Sequence, residues 1–424
     1  MTTKLIIIKT IVKMITNTKT KSYTRKKDNS NFSYANFWKN YYIIPVIFLI
    51  CIIGIITAGS AIQTRTFFDS QVFADEFFKQ IVSGFLLGLI LAYSIYILGI
   101  EQILKFRKGL LIACLITLFY LALPSFITYL IKVDIVTASN YFSNLPIKPI
   151  VRNGAVRWLS VGFLQFQPVE VVKISILLYM SHYFREIENN NITWEYIKRP
   201  FYVFAITSLF ILVQPDLGSV VIITLMLSTV LFLTKINIKQ TLAILTLLII
   251  FSGITVAITP YRRERFLGWL NNSKLQETEV DYLQIEKVQK AIQVGGLYGV
   301  GYTKGEIKNT IPEVSSDAVL AVLGEEFGSV SIIVLIALYS VFFYYCLSKA
   351  KDIKNTSKKM ILIGVGSWIF YQAVWNIGGV IGLVPMKGLP LPFISEGSTS
   401  VAISILGVGL ILACLKKDIV SKTN

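Results

Sequence analysis

The sequence predicts an all-α polytopic membrane protein of about ten transmembrane helices, and three observations carry that prediction. The 424 residues are 54% hydrophobic and only 15% charged, against about a quarter charged in an ordinary soluble domain; mean hydropathy is +0.64. Apolar runs of about twenty residues, the length that crosses a bilayer core, recur along the chain. The basic residues cluster in alternate connecting segments.

The ten spans fall at roughly 42–60, 77–99, 109–131, 168–184, 200–214, 217–234, 240–259, 317–348, 360–384 and 393–415. Spans five and six are short and nearly continuous, as in a tight helical hairpin or a broken helix, so nine or eleven spans also fit. About 25 of the 41 Lys and Arg lie in the N-terminal tail, 100–109, 185–199, 235–239, 349–359 and the last nine residues. The positive-inside rule places these in the cytoplasm. Both termini are then cytoplasmic, and the loops 60–76, 131–167, 260–316 and 385–395 face outward. The large outer loop between spans seven and eight, 260–316, holds eight basic and seven acidic residues and is close to neutral.

Residues 1–41 read as a basic cytoplasmic tail. Its first sixteen residues mix Ile and Leu with Lys4, Lys9 and Lys13, too interrupted for a signal peptide and suited to an anionic membrane face. Residues 17–40 are polar and aperiodic, a composition that favours disorder. The membrane domain occupies 42–415, and 416–424 form a second cytoplasmic tail. The net charge of +17 follows this topology and does not point to nucleic acid. The four cysteines fall inside spans, so no disulfide framework is implied. The single histidine, His182, cannot build a metal cluster alone.

Four stretches hold residue types that an apolar bundle does not keep without use. The first runs from Asn153 through Arg157 and Trp158 to Gln167-Pro168-Val169-Glu170, then Lys173. Pro168 suits a first helical turn. Glu170 and Lys173 then share one helix face and can pair, since a lone Lys in a span is costly. That pair either only fixes packing or takes part in function. Arg157 beside Trp158 fits an interfacial anchor or a phosphate contact.

The second stretch is Gln214-Pro215-Asp216-Leu217-Gly218. Asp216 sits at a helix break and is suited to cap the next span. The third is the large loop, from Arg262, Arg263 and Arg265 through a glycine-rich piece at 295–301 to Asp317. Those glycines allow close backbone approach to a ligand. Asp317 begins span eight, either as an N-cap or as a functional acid. Glu325 and Glu326 follow two turns deeper, placed to line a cavity or to meet Lys173. The fourth stretch, Asn376 to Ser400, packs Pro385, Pro390 and Pro392 among repeated glycines, then Ser395, Glu396 and Ser398. Irregular chain at membrane depth persists only where protein buries it or a cavity needs it.

Taken together, these stretches resemble the SEDS family (shape, elongation, division and sporulation) of bacterial wall glycosyltransferases, the RodA/FtsW type. The family patterns Gly-x-x-Arg-Trp-Leu, Gln-Pro-Ser-Glu-x-x-Lys, Gln-Pro-Asp-Leu-Gly, Pro-Glu-x-His-Thr-Asp, Gly-Glu-Glu and Pro-Leu-Pro-Phe-x-Ser-Tyr-Gly-Gly-Ser-Ser occur here in order across about 150–410. Met386-Lys387-Gly388-Leu389 and the glycine loop resemble the division member, FtsW, while Gly388-Leu-Pro-Leu-Pro also resembles the elongation member, RodA. Three of the motifs depart from the pattern. Val169 replaces Ser, Ser315-Ser316 replace His-Thr, and Glu396-Gly397-Ser398 replace Tyr-Gly-Gly.

The resemblance implies polymerisation of lipid II into glycan strands at the outer face of the bacterial cytoplasmic membrane, at the division septum. It implies Asp317 as general base, with Arg157, Trp158, Arg263, Lys387, Ser395 and Ser398 around the substrate. Asp216, Glu325, Pro390 and Pro392 would shape the cavity, and Glu170 and Lys173 would report an activation state. Expected partners are a class B penicillin-binding protein and other divisome membrane proteins. The resemblance fixes no cofactor, and a divalent cation, Mg²⁺ or Mn²⁺, is compatible with pyrophosphate departure. A lipid II flippase and a non-catalytic division scaffold are the alternative readings.

Overall fold

A computed structural model describes residues 42–65, 70–152, 154–162, 164–189, 194–232, 279–312, 314–385 and 388–416, with Thr246 and Ile250. The basic tail, span seven apart from Thr246 and Ile250, Arg263 and Lys387 lie outside the described residues. The described residues from Pro45 onward form one compact unit.

In chain order the helices are α1 (Ile43–Arg65), α2 (Ser70–Gln80), a π-helical turn (Ile81–Leu86), α3 (Leu87–Leu98), α4 (Ile100–Lys105), α5 (Arg107–Ile131) and α6 (Ile135–Asn140). Three strands follow, β1 (Ile147–Arg152), β2 (Ala155–Val161) and β3 (Leu164–Phe166). The chain continues with α7 (Pro168–Asn189), α8 (Trp194–Val213), α9 (Leu217–Phe232) and α10 (Glu279–Gly295). After a 3₁₀ turn (Ile307–Thr310) come α11 (Val319–Ala350), α12 (Thr356–Val380) and α13 (Ser398–Leu415).

Among the described residues, six helical stretches are long and apolar enough to cross a membrane: α1, α2 through α3, α5, α11, α12 and α13. α7 and α8 occupy the expected fourth and fifth spans, and α9 is a shorter apolar helix at the sixth. α7 tolerates Glu170 and Lys173 because protein encloses it. From Pro168 to Phe184 nearly every residue is buried, against α5, α8, α9 and α12 among others. α12 is the axis of the bundle, with Trp368, Ile369 and Ala373 fully buried and α7, α9, α11 and α13 around it.

The all-α expectation needs one correction. The segment 131–167, read as a loop, folds into α6 and an antiparallel three-stranded sheet of order β1-β2-β3. Asp134 caps α6, its carboxylate accepting the amides of Val136 and Thr137 at 2.9 Å. Those bonds, with one from the Thr137 hydroxyl, hold the Asp134 carboxyl below its ordinary range. A small apolar cluster anchors the sheet to the bundle, without strict alternation along its strands. Val156 and Leu159 turn onto Leu121 of α5, with Val151 and Phe166 beside them. Arg157 and Trp158 are thereby left half-exposed.

A second device is the break inside α11. Gly328 adopts φ 76°, which frees backbone groups on either side of it. The glycine-rich loop takes them up. Val300 and Gly301 donate to the carbonyls of Glu325 and Glu326 at 2.9 and 3.1 Å, and Ser329 donates to Gly296 at 2.9 Å. A Cβ on Gly299 would lie 2.1 Å from the Glu326 carbonyl. The glycines therefore approach the backbone of a neighbouring helix, where a ligand was expected.

Candidate active site

The end of the bundle that carries β2 also carries the start of α11, the irregular chain after α12, the start of α13 and the end of α2. Together they enclose a cleft of about 220 Å³. Arg157, Trp158, Asp317, Pro390 and Ser398, widely separated in sequence, all line it.

Asp317 is half-buried and stands just outside the helix, since α11 starts at Val319 and its cap position is Ala318. Among the described residues Ala318, not Asp317, holds the N-cap position of that helix. Gly388 lies beside the carboxylate. A Cβ placed there would be 3.0 Å from Asp317 Oδ2 and 3.9 Å from Arg157 Nη1. Glycine at 388 keeps open the small volume that acid and guanidinium share.

Arg157 is held from behind. Its Nε donates to the Gln214 carbonyl at 3.0 Å and its Nη2 to the Pro215 carbonyl at 2.6 Å. The Gln-Pro-Asp turn thus aims Arg157. Asp216 itself caps α9, accepting the Ser219 amide at 3.1 Å and its hydroxyl at 2.7 Å. Trp158 carries the Arg152 guanidinium 4.8 Å above its ring, and Arg152 also donates to Gln165 at 2.7 Å. Lys79, Arg152 and Arg157 line the cleft, as do Glu76, Asp317 and Glu396. Opposite charges therefore meet in one polar pocket, as a reaction that moves a proton and releases an anion requires.

The irregular chain after α12 is fixed residue by residue. Asn376 donates to the Leu389 carbonyl at 2.7 Å and Gln372 to the Pro390 carbonyl at 2.8 Å. Ser395 Oγ accepts the Leu391 amide at 2.7 Å, and the Tyr339 hydroxyl donates to the Pro392 carbonyl. Prolines cannot donate, so side chains satisfy the carbonyls that helix geometry would otherwise have used. Ser395 is buried in this role and does not line the cleft, and neither does Pro392. Ser398 does line it and accepts a bond from Ser83 at 2.6 Å, next to the π-helical turn.

The buried pair forms as the helix spacing predicts. Lys173 Nζ is 2.7 Å from Glu170 Oε1. It also donates to Gln372 Oε1 at 2.7 Å and lies 5.1 Å from the Trp368 ring centre. Glu325 departs from expectation and does not meet Lys173. Its oxygens accept the amides of Glu306, Ile307 and Lys308, each at 2.8 Å. Glu326 pairs with Lys308 and with Ser60 of α1. These acids clamp the segment Glu306 to Lys308 that follows the glycine-rich loop, and they do not line the cleft. The charged path a flippase would require from Glu170, Lys173, Asp216, Glu325 and Glu326 is divided among three separate clusters.

Sequence reasoning did not single out Gln80, Arg152, Gln372, Asn376 or Lys308. Uncharged amides within spans are the legible signal for Gln372 and Asn376, because a span retains such groups where backbone needs partners. Among the described residues no three His, Cys, Asp or Glu are grouped to hold a metal ion.

The FtsW/RodA/SpoVE family model, described as a cell cycle protein, matches residues 40–418. A probable peptidoglycan glycosyltransferase FtsW of Wigglesworthia glossinidia brevipalpis is 32% identical over 85% of this chain and 89% of its own length. The corresponding Haemophilus influenzae protein is 31% identical over 61% of this chain and 67% of its own. Among solved structures, one described as showing structural coordination of polymerization and crosslinking by a peptidoglycan synthase complex superposes with TM-score 0.68 at 24% identity, covering 88% of this chain and 97% of that one. Thermus thermophilus RodA superposes with TM-score 0.61 at 22% identity, over 89% and 96%. At those identities the structures speak for the fold. The family match over nearly the whole chain speaks for descent, and this multi-pass membrane protein belongs to the FtsW/RodA/SpoVE family.

Proposed function

We propose that this chain is a peptidoglycan glycosyltransferase that polymerises lipid II at the outer face of the bacterial cytoplasmic membrane, during division. One observation carries the reading: Asp317 faces a polar cleft, outside the helix it precedes, with Arg157 across the volume that Gly388 leaves open. The names of the curated relatives support the same reaction class.

In this mechanism the 4-hydroxyl oxygen of one disaccharide attacks the anomeric carbon of another. The new C–O bond forms as the bond to undecaprenyl pyrophosphate breaks. The hydroxyl proton passes to the Asp317 carboxylate. The leaving pyrophosphate takes the bonding electrons, and its charge is met by Arg157, with Arg152 and Lys79 on the same cleft. A single displacement inverts the anomeric centre and needs no second, nucleophilic carboxylate. The partner we propose is a class B penicillin-binding protein that crosslinks the strands.

Purified protein, with and without that partner, is given labelled lipid II and the products are separated on a gel. A ladder of glycan strands is expected. Lipid movement between leaflets without glycan would favour the flippase, and neither activity would favour the scaffold.

A further inference from the structure

The amide of Asn376 joins two pieces of chain that meet at the cleft. Its Nδ2 donates to the backbone carbonyl of Asp317 at 3.0 Å and to that of Leu389 at 2.7 Å. Gly388, next to Leu389, is the residue beside the Asp317 carboxylate. One side-chain nitrogen therefore sets the separation between the acid and the opposite edge of its pocket. Both partners are carbonyls, so the orientation of the amide is determined by its donors. Its Oδ1 is buried with no hydrogen-bond partner among the described residues. A leucine would fill the same space without that unsatisfied acceptor, so packing alone does not account for an amide here.

One turn deeper on α12, Gln372 repeats the arrangement. It donates to the Pro390 carbonyl at 2.8 Å and accepts from Lys173 at 2.7 Å and from Trp368 at 2.8 Å. The two amides form a ladder from the buried Glu170–Lys173 pair to the edge of the cleft.

We propose that Asn376 is a positioning residue for Asp317, with Gln372 as the second rung that ties the same edge to the buried ion pair. The proposal rests on the transferase reading and deepens it. Misplacing a reacting group by about 1 Å can lower rate by about a hundredfold, while contacts that only hold substrate stay in place. Loss of the ladder therefore acts on kcat and leaves KM near its wild-type value.

The test uses the full-length protein with its partner and lipid II. Asn376→Leu removes the donor at similar volume. Asn376→Asp points an acceptor at two carbonyls. Gln372→Leu removes the lower rung at a distance from Asp317, and carries the test if the Asn376 variants do not fold. The expected result is a kcat lowered about 10- to 100-fold in Asn376→Leu and further in Asn376→Asp. Gln372→Leu should show a smaller loss of the same kind, and KM should stay within about threefold throughout. Hydrogen exchange of the peptides holding Asp317 and Leu389 should rise together, without a general rise across α12. Wild-type kcat in Asn376→Leu, a loss confined to KM, or a loss that merely follows the fraction of folded protein would overturn the proposal. The two failures are distinguishable. Wild-type protein that makes no glycan sinks the transferase reading, whereas active wild type beside an equally active Asn376→Leu sinks this one.

Discussion

Glu325 and Asp317 look alike in the sequence, each an acid near the start of the same apolar span, yet the fold uses them differently. Glu325 is buried and its two oxygens accept three backbone amides, Glu306 to Lys308, at the start of the 3₁₀ turn. Asp317 stands outside the helix, half-exposed, and faces a cleft. The contrast shows that an acid in a membrane bundle is not by itself a site. A carboxylate saturated by amides cannot take a substrate proton without releasing the loop it holds. The buried acids serve the fold, and the acid at the cleft is the one we propose for the chemistry.

The comparison can be broken by treating each buried acid as a structural part. The largest effect is expected at the ion pair. Lys173→Met leaves Glu170 charged and enclosed, a change worth about 3–5 kcal/mol of stability. Adding Glu170→Gln should recover part of that loss. Unfolding in detergent checks both, and a double variant as poor as the two losses combined would show the residues uncoupled. Glu325→Gln comes next. It weakens charge-assisted bonds to three amides and should cost about 1.5–3 kcal/mol, while the glycan made per folded molecule stays close to wild type. A rate loss in Glu325→Gln well beyond its loss of folded protein would erase the distinction drawn here. The smallest effect belongs to Asp216. As a cap it should tolerate Asn almost silently and lose about 1 kcal/mol on change to Ala. A severe defect in Asp216→Asn would indicate a role beyond the cap.

Much of the helical fold was legible in the sequence, because span length and apolarity are local properties. The Glu170–Lys173 pair was legible too, since a single helical turn sets its spacing. The sheet at 147–166 was missed even though Asn153-Gly154 between apolar runs is a hairpin signal. An outer-loop reading masked it. The role of Glu325 was not legible. Its partners are the backbone amides of Glu306 to Lys308, brought near by tertiary packing, and amides carry no sequence signature. Asn376 and Gln372 stood in or beside a stretch already suspected, but their function depends on which carbonyls the prolines leave unpaired. Asp317 was chosen by resemblance, and the cleft around it is a product of tertiary packing.

The most direct measurement of the central claim is glycan polymerisation by purified Asp317→Asn with its partner present. An amide cannot accept the hydroxyl proton, and general-base assistance is worth about two to four orders of magnitude in rate. The account predicts loss of product on that scale, with the variant folded, inserted and bound to its partner as before. Near-normal glycan from folded Asp317→Asn would contradict it.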